Sequence, residues 1–313
     1  MAESGRQAAP ALFPIAGTVE LMRPQQWVKN LLVFAALVFG KELFNLDSVV
    51  RALMAFVAMC MAASAVYVFN DLRDVVQDRL HPLKCRRPLA SGRVGLNTAR
   101  SVALVLSLGA CALAFALTPA AAYTILFYLA INVVYSTTAK HVVILDVMVL
   151  AFGYVLRVLL GSQAVGVAPS YWLFLCTLNV SLFLALGKRR AELVALESDA
   201  QHHRRVLEHY SLSFLDQMIG IVTSATLVCY ILYTVDSRTI ETFDTGLLVL
   251  TVPFVLYGLF RYLYLLYHRQ QGDAPTTTIL LDRAFLANGV LWGLACVAVI
   301  YWHEAIERVL GFN

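Results

Sequence analysis

The chain has 313 residues, of which 60% are hydrophobic and only 14% charged, and its mean hydropathy is +0.72. A water-soluble globule must cover its surface with polar groups, so this composition excludes one and places the chain in a membrane.

The opening stretch MAESGRQAAPALFP lacks a basic start followed at once by an apolar core, so no removable signal peptide is expected. Residues 1–20 read as a mobile cytoplasmic tail before a single transmembrane domain over 21–313. Apolar runs of the ~17–25 residues that cross a bilayer recur nine times, at about 28–44, 49–70, 97–117, 119–136, 142–163, 170–187, 214–235, 245–267 and 284–302. Each should be helical, because lipid offers backbone groups no partner. Lys and Arg gather on alternate connections, with Arg73, Arg79, Lys84, Arg86, Arg87 and Arg93 in the 71–96 loop and Lys140 by itself in the fourth. The opposite side receives only Lys41, Arg51, Arg238 and Arg308. The positive-inside rule therefore puts the N-terminus in the cytoplasm and the C-terminus outside. The long charged loops of the cytoplasmic side, against uncharged outward connections at Thr118 and GSQAVGVAPS, point to function on that face.

The second span ends in FNDLRDVVQD. If its helix continues towards Pro82, then Asp71, Asp74 and Asp78 share one face beside Asn70. Each neighbouring like-charge pair costs on the order of 2–3 kcal/mol at an effective dielectric near 20, so something positive must lie against them. A salt-bridged helix end is one reading. A divalent ion is the other, since carboxylate and amide oxygens suit Mg²⁺ bound together with substrate phosphates. The following RLHPLKCRRPLASGRVG brings Lys84, Arg86 and Arg87 on a loop stiffened by Pro88, residue types that clamp phosphate oxygens. Arg93 and Arg100 read as topology signals or contacts to anionic lipid heads.

Further along, YSTTAKHVVILD places Tyr135, Lys140 and Asp146 around the fourth connection and the start of the fifth span. Asp146, Gly153 and Arg157 fall on one helical face, and Arg157, deep in its span, needs an anion or a polar cavity. Lys29, with Arg23 and Trp27 at the membrane edge, has two readings, lipid-phosphate holder and interfacial anchor. The 188–213 connection is long and charged, and its His202 and His203 read as solvent-exposed. Asp282 and Arg283 either close the site or pair with each other. The six cysteines are scattered, with no C-x-x-C pair for zinc or redox chemistry.

The run N70-D71-x-x-D74-x-x-x-D78, followed by R87-P88-L89-x-S91-G92, resembles the first signature of the UbiA superfamily of intramembrane prenyltransferases. R23-P24-x-Q26-W27-x-K29-N30 and G187-K188-R189-x-A191-E192 resemble, more narrowly, its bacterial decaprenyl-phosphate phosphoribosyltransferase branch. The resemblance, which runs from Arg23 to Arg283, implies an all-α membrane protein: a UbiA-like bundle of nine transmembrane helices with the active site at the cytoplasmic side of the plasma membrane. One departure from that branch is Ala139, where Leu usually precedes the lysine. A larger departure, from the aromatic prenyltransferases, lies at 188–192, where cations stand in place of a second aspartate-rich motif and Glu192 is the main acid.

The implied reaction is transfer of 5-phosphoribose from phosphoribosyl diphosphate to a polyprenyl phosphate. The lipid phosphate oxygen attacks the anomeric carbon in line, diphosphate leaves, and the centre inverts. The alternative on the same fold is prenyl transfer from a polyprenyl diphosphate to an aromatic acceptor, which would leave Lys188, Arg189 and Arg190 without partners if they face the cavity. A transporter is disfavoured because acids and bases gather at one face rather than at mid-membrane. The resemblance assigns Mg²⁺ to Asp71, Asp74 and Asp78, and catalytic roles to Asp74, Asp78 and Lys188. Substrate contacts fall to Lys29, Asn70, Lys84, Arg87, Tyr135, Lys140, Asp146, Arg189 and Glu192. Expected partners are the two substrates and the membrane, with a homo-oligomer as an option and no nucleic acid.

Overall fold

The structure is a computed structural model, and it describes residues 14–168, 170–196, 205–268 and 282–310. The elements described are helical, and eight helices among these residues are long and apolar enough to cross a membrane. In chain order the helices are α1 (Pro14–Met22), α2 (Ala35–Phe39), α3 (Leu46–Leu80), α4 (Leu96–Leu117), α5 (Pro119–Thr137), α6 (Leu145–Val165), α7 (Tyr171–Leu196), α8 (Leu212–Val235), α9 (Ser237–Phe243), α10 (Val252–His268) and α11 (Arg283–Leu310). The chain divides into two compact units, residues 1–31 with 53–133 and residues 32–52 with 134–313.

The first expected span, 28–44, is not one α-helix. Pro24–Phe34 is wound as a 3-10 stretch, and only Ala35–Phe39 follows as α-helix. Polar hooks explain part of this departure: the Trp27 indole donates to Ser64 Oγ at 3.0 Å, and the fully buried Asn30 amide lies 3.2 Å from Cys60 Sγ. A segment tied by such side chains gives up regular helical register for those contacts. The expected tail 1–20 is helical from Pro14 onward, and residues 1–13 lie outside the described residues.

In the first unit α3 dominates. Its 35 residues make a rod about 50 Å long, longer than the ~30 Å hydrocarbon core, and Asp71, Asp74 and Asp78 fall in its last three turns. Small side chains (Ala55, Ala58, Ala62, Ala65) bury completely or nearly so along it and let neighbouring backbones approach. The 81–95 connection is tied back by Leu89 and Val94, which pack with Leu21, Val68 and Ala99. Gly92 turns it with φ +79, a conformation that only glycine adopts without strain.

In the second unit α6, α7 and α8 pack in sequence order. At Gly161 a Cβ would stand 1.9 Å from the Val33 carbonyl oxygen, so no larger residue fits that contact. Val147, Phe183, Leu186, Leu215, Ile219, Leu259 and Tyr262 form the apolar core beneath the charged end of α7. That helix does not stop at 187 as expected but continues to Leu196. Residues 197–204, including His202 and His203, lie outside the described residues.

Candidate active site

Two charged clusters form, one in each unit. In the first, Asp71 and Asp78 lie two turns apart on α3 and are 3% and 4% exposed. Arg87 Nη1 reaches both carboxylates, at 3.1 Å to Asp71 Oδ1 and 2.6 Å to Asp78 Oδ2. Arg23 Nη2 donates to the same Asp71 oxygen at 2.6 Å, with its guanidinium 5.1 Å from the Tyr67 ring centroid. Arg23 adopts φ 55 between α1 and the 3-10 stretch, and the following proline disfavours the right-handed alternative. Leu89, buried two residues beyond Arg87, and the bond from Ser91 N–H to the Arg87 carbonyl at 2.9 Å hold the loop in place.

The positive partner expected for the aspartates is therefore protein arginine. Asn70 and Asp74 are half-buried on the same helix, Lys84 is exposed on the connection, and Lys29 is half-buried in the 3-10 stretch. Among the described residues no three carboxylate, imidazole or thiolate groups gather closely enough to hold a metal by themselves, so Asp71, Asp74 and Asp78 do not form a closed protein cage. The donor chemistry fits a narrower role. Two buried carboxylates within reach of one cationic nitrogen suit an ion such as Mg²⁺ that completes its shell with substrate phosphates and water.

The second cluster centres on Arg189, 1% exposed. Its Nε donates to Asp146 Oδ2 at 2.6 Å, Nη1 to Glu192 Oε2 at 2.5 Å, and Nη2 to the Tyr135 hydroxyl at 3.4 Å. Asp146 is wholly buried at the start of α6. Lys188 Nζ lies 3.8 Å from Glu192 Oε1, and 39% of the Lys188 side chain remains exposed. Gly187 lets this turn of α7 sit against Tyr262, whose hydroxyl would be 2.7 Å from an added Cβ. Tyr210 donates to Asp146 Oδ1 at 2.7 Å. Burial pushes its phenol well above the usual tyrosine range, so the hydroxyl keeps its proton at any working pH.

Sequence reasoning brought Tyr135, Asp146, Lys188, Arg189 and Glu192 to one site, and the structure assembles those five. Lys140 is half-buried in the short 3-10 turn Ala139–His141 that precedes α6. The arginines of this region do not face a cavity unpartnered, the condition on which the prenyl-transfer reading is disfavoured. Arg189 has two carboxylates, and Arg190 Nε donates to Asp216 Oδ1 at 2.6 Å. Arg189 is thus an internal counter-ion, walled off from open contact with a ligand, while Lys188 is the more exposed cation. Arg157 is 5% exposed, donates to the Gly153 carbonyl at 2.7 Å and lies 5.0 Å from the Tyr154 ring centroid. Asp282 pairs with Arg261 at 2.8 Å rather than with Arg283, and it caps α11 through Phe285 N–H at 2.8 Å.

Three contributors escaped the sequence: Arg23 as a partner of Asp71, Tyr210 and Asp216. Arg23 lies 48 residues from its partner, and a lone aromatic or acid near a helix start carries no periodic signal. No disulfide joins any of the six cysteines, all of which are among the described residues.

Residues 31–301 match the model of the UbiA prenyltransferase family. The decaprenyl-phosphate phosphoribosyltransferase of Mycolicibacterium smegmatis is 32% identical over 96% of this chain and 97% of its own length. The enzyme of the same name from Mycobacterium tuberculosis is 38% identical over 69% of this chain and 73% of its own. Among solved structures, a UbiA homolog from Archaeoglobus fulgidus bound to GPP and Mg²⁺ superposes with a TM-score of 0.68 at 18% identity, covering 91% of this chain and 99% of that one. Helical spans, the α3 aspartates and a family match across most of the length lead to one conclusion: this chain belongs to the UbiA prenyltransferase family.

Proposed function

We propose that the protein transfers 5-phosphoribose from phosphoribosyl diphosphate to a polyprenyl phosphate of the decaprenyl type and releases diphosphate. The observation that carries this reading is the end-to-end similarity to the Mycolicibacterium smegmatis enzyme of that specificity, 32% over 96% of the chain. The bond between anomeric carbon and diphosphate oxygen breaks, a new one forms to the lipid phosphate oxygen, and no general base is needed because that phosphate is already ionised.

In this reading Asp71 and Asp78, with Asp74 beside them, would hold Mg²⁺. When bound, the ion supplies neutralisation of the negative charge that grows on the leaving diphosphate. Arg23 and Arg87, 25% and 31% exposed, are placed to exchange carboxylate partners for phosphate oxygens. Lys188 presents its ammonium to a donor phosphate, and Glu192 and Arg189 orient it. Lys29, Asn70, Lys84, Tyr135 and Lys140 remain proposed substrate contacts. The Lys and Arg distribution supports a plasma-membrane protein with a cytoplasmic N-terminus.

Purified protein given radiolabelled phosphoribosyl diphosphate, decaprenyl phosphate and Mg²⁺ should form a labelled lipid and release diphosphate, and EDTA should stop it. Prenylation of 4-hydroxybenzoate with phosphoribosyl diphosphate left untouched would overturn the specificity and leave the family membership standing.

A further inference from the structure

Ile144 stands directly before α6 with φ 69 and ψ −46. Leu145 N–H donates to the Val143 carbonyl at 2.8 Å, which closes a three-residue γ-turn of the positive-φ kind. That turn is rare and strained even for small residues, and a β-branched side chain at its centre makes it a genuine outlier. Such a conformation persists only where surrounding contacts hold it, and outliers of this sort cluster at functional sites. Packing of the Ile144 side chain is not the reason, because it is 40% exposed.

The turn is held on both sides: the Ile144 carbonyl accepts from Val147 and Met148 N–H of α6 at 3.2 and 3.0 Å, and on the other side the Ile144 N–H is held by a side-chain hydroxyl. Ile144 N–H donates to Tyr210 Oη at 2.7 Å, and Tyr210 Oη donates to Asp146 Oδ1 at 2.7 Å. The Tyr210 ring, 6% exposed, stacks on Phe214 with centroids 6.2 Å apart. The adjacent Ser211 caps α8 by accepting from Phe214 N–H at 3.1 Å. The hydroxyl is thus fixed from the α8 side. From Asp146 the hydrogen-bonded chain continues through Arg189 to Glu192, whose second oxygen faces the Lys188 ammonium.

We propose that Tyr210 is a positioning residue for the donor side of the reaction: by locking the strained Ile144 turn to the Asp146 carboxylate, it fixes Arg189 and Glu192 and so sets where Lys188 presents its charge. This rests on the reading that Lys188 meets a donor phosphate. Without the hydroxyl, Ile144 relaxes to negative φ, the start of α6 swings, and the array loses its frame. The residue read as a holder of the lipid phosphate, Lys29, lies elsewhere, on the 3-10 stretch Pro24–Phe34. Acceptor affinity should therefore be indifferent to Tyr210.

The test uses Tyr210→Phe, Ile144→Gly and the double variant in purified full-length protein, reading KM for each substrate, kcat and thermal midpoint. Tyr210→Phe should raise the donor KM about tenfold, with acceptor KM and kcat within about twofold of wild type. Adding Ile144→Gly should return the donor KM most of the way, because glycine holds positive φ without strain and the turn no longer needs the hydroxyl. The midpoints should be non-additive, as expected for residues in direct contact. An unchanged donor KM, an equal rise for both substrates, or no rescue by Ile144→Gly overturns the proposal. If Tyr210→Phe alone does not fold, folding of the double variant supports the lock, and failure of both reduces Tyr210 to a structural residue. Absence of phosphoribosyl transfer by the wild-type protein overturns the proposed function instead. Additive midpoints overturn the lock whatever the activity, so the two failures are distinguishable.

Discussion

The two charged clusters use the same chemistry and different exposure. On α3, Asp71 and Asp78 are held by Arg23 and Arg87, whose side chains are 25% and 31% exposed. On α7 the cation itself is sealed, with Arg189 at 1% and its partner Asp146 at 0%. A partly solvated guanidinium can swing from a carboxylate to a phosphate with water filling part of its shell, although the carboxylates it leaves, 3% and 5% exposed, need another cation in its place. A sealed one cannot, because each partner would be left charged in a low-dielectric interior. The first cluster is thus suited to exchanging ligands and the second to holding a frame. Of the two cations at Glu192 it is Lys188, 39% exposed at the edge of the second cluster, that shares the exposure of the first.

The contrast breaks most directly at Arg189. Removing one member of a buried pair costs about 3–5 kcal/mol, so Arg189→Ala should lose stability of that order, seen as a large fall in thermal midpoint in detergent. Arg87→Ala should shift the midpoint less, because Asp71 keeps its bond to Arg23 and the guanidinium removed is 31% exposed rather than sealed. Equal midpoints for the two variants would erase the distinction between frame and exchange site.

Asp78→Asn addresses the exchange side. The change removes a charge but keeps volume, and Arg87 can turn to solvent, so folding should survive. Loss of a group that helps neutralise the leaving diphosphate should lower kcat by about 10²–10³-fold, the size typical of a removed electrostatic stabiliser. Near-normal turnover that also persists in EDTA would end the metal role of this cluster. Next in size is Lys188→Ala. A charge-assisted hydrogen bond is worth ~1.5–3 kcal/mol, which predicts roughly a tenfold or greater loss in kcat/KM for the donor with the thermal midpoint nearly unchanged.

The α3 site was legible because helical spacing and charge act locally. Asp71, Asp74 and Asp78 repeat at three and four residues, Pro82 bounds the helix, and α3 does run to Leu80. The need for a cation beside them followed from Coulomb's law, and Arg87, nine residues from Asp78, supplies it. Long-range pairing was not legible. Arg189 finds Asp146 43 residues away, and Arg190 finds Asp216 26 away, so cations that look unmatched along the chain are matched in space. Apolar length also misled at 28–44, where Trp27 and Asn30 spend their hydrogen bonds on α3 residues rather than facing lipid. At the end of α7 charge density looked like a loop. KRRAEL is instead good helix, with Arg189 and Lys188 three and four residues before Glu192.

Arg190 offers the smallest effect and the sharpest control, because it neighbours both Lys188 and Arg189 in sequence and belongs to neither cluster. Its guanidinium donates to Asp216 Oδ1 at 2.6 Å and lies 4.1 Å from the Tyr267 ring centroid, while Tyr267 also donates to Asp216 at 2.9 Å. Asp216 is 38% exposed and Arg190 15%. A pair this close to solvent is worth ~0–1 kcal/mol, and the aromatic contact adds ~0.5–1 kcal/mol. Arg190→Ala should therefore cost on the order of 1 kcal/mol in stability, with Asp216 keeping its tyrosine partner and its water. Donor KM, acceptor KM and kcat should stay within about twofold of wild type, since none of the contacts of Arg190 among the described residues leads to the Asp146–Arg189–Glu192 array. A donor defect comparable to that of Lys188→Ala would mean that positive charge near the end of α7, and not the placed ammonium of Lys188, is what the donor senses, and the division of labour between frame and exchange site would fail at its edge.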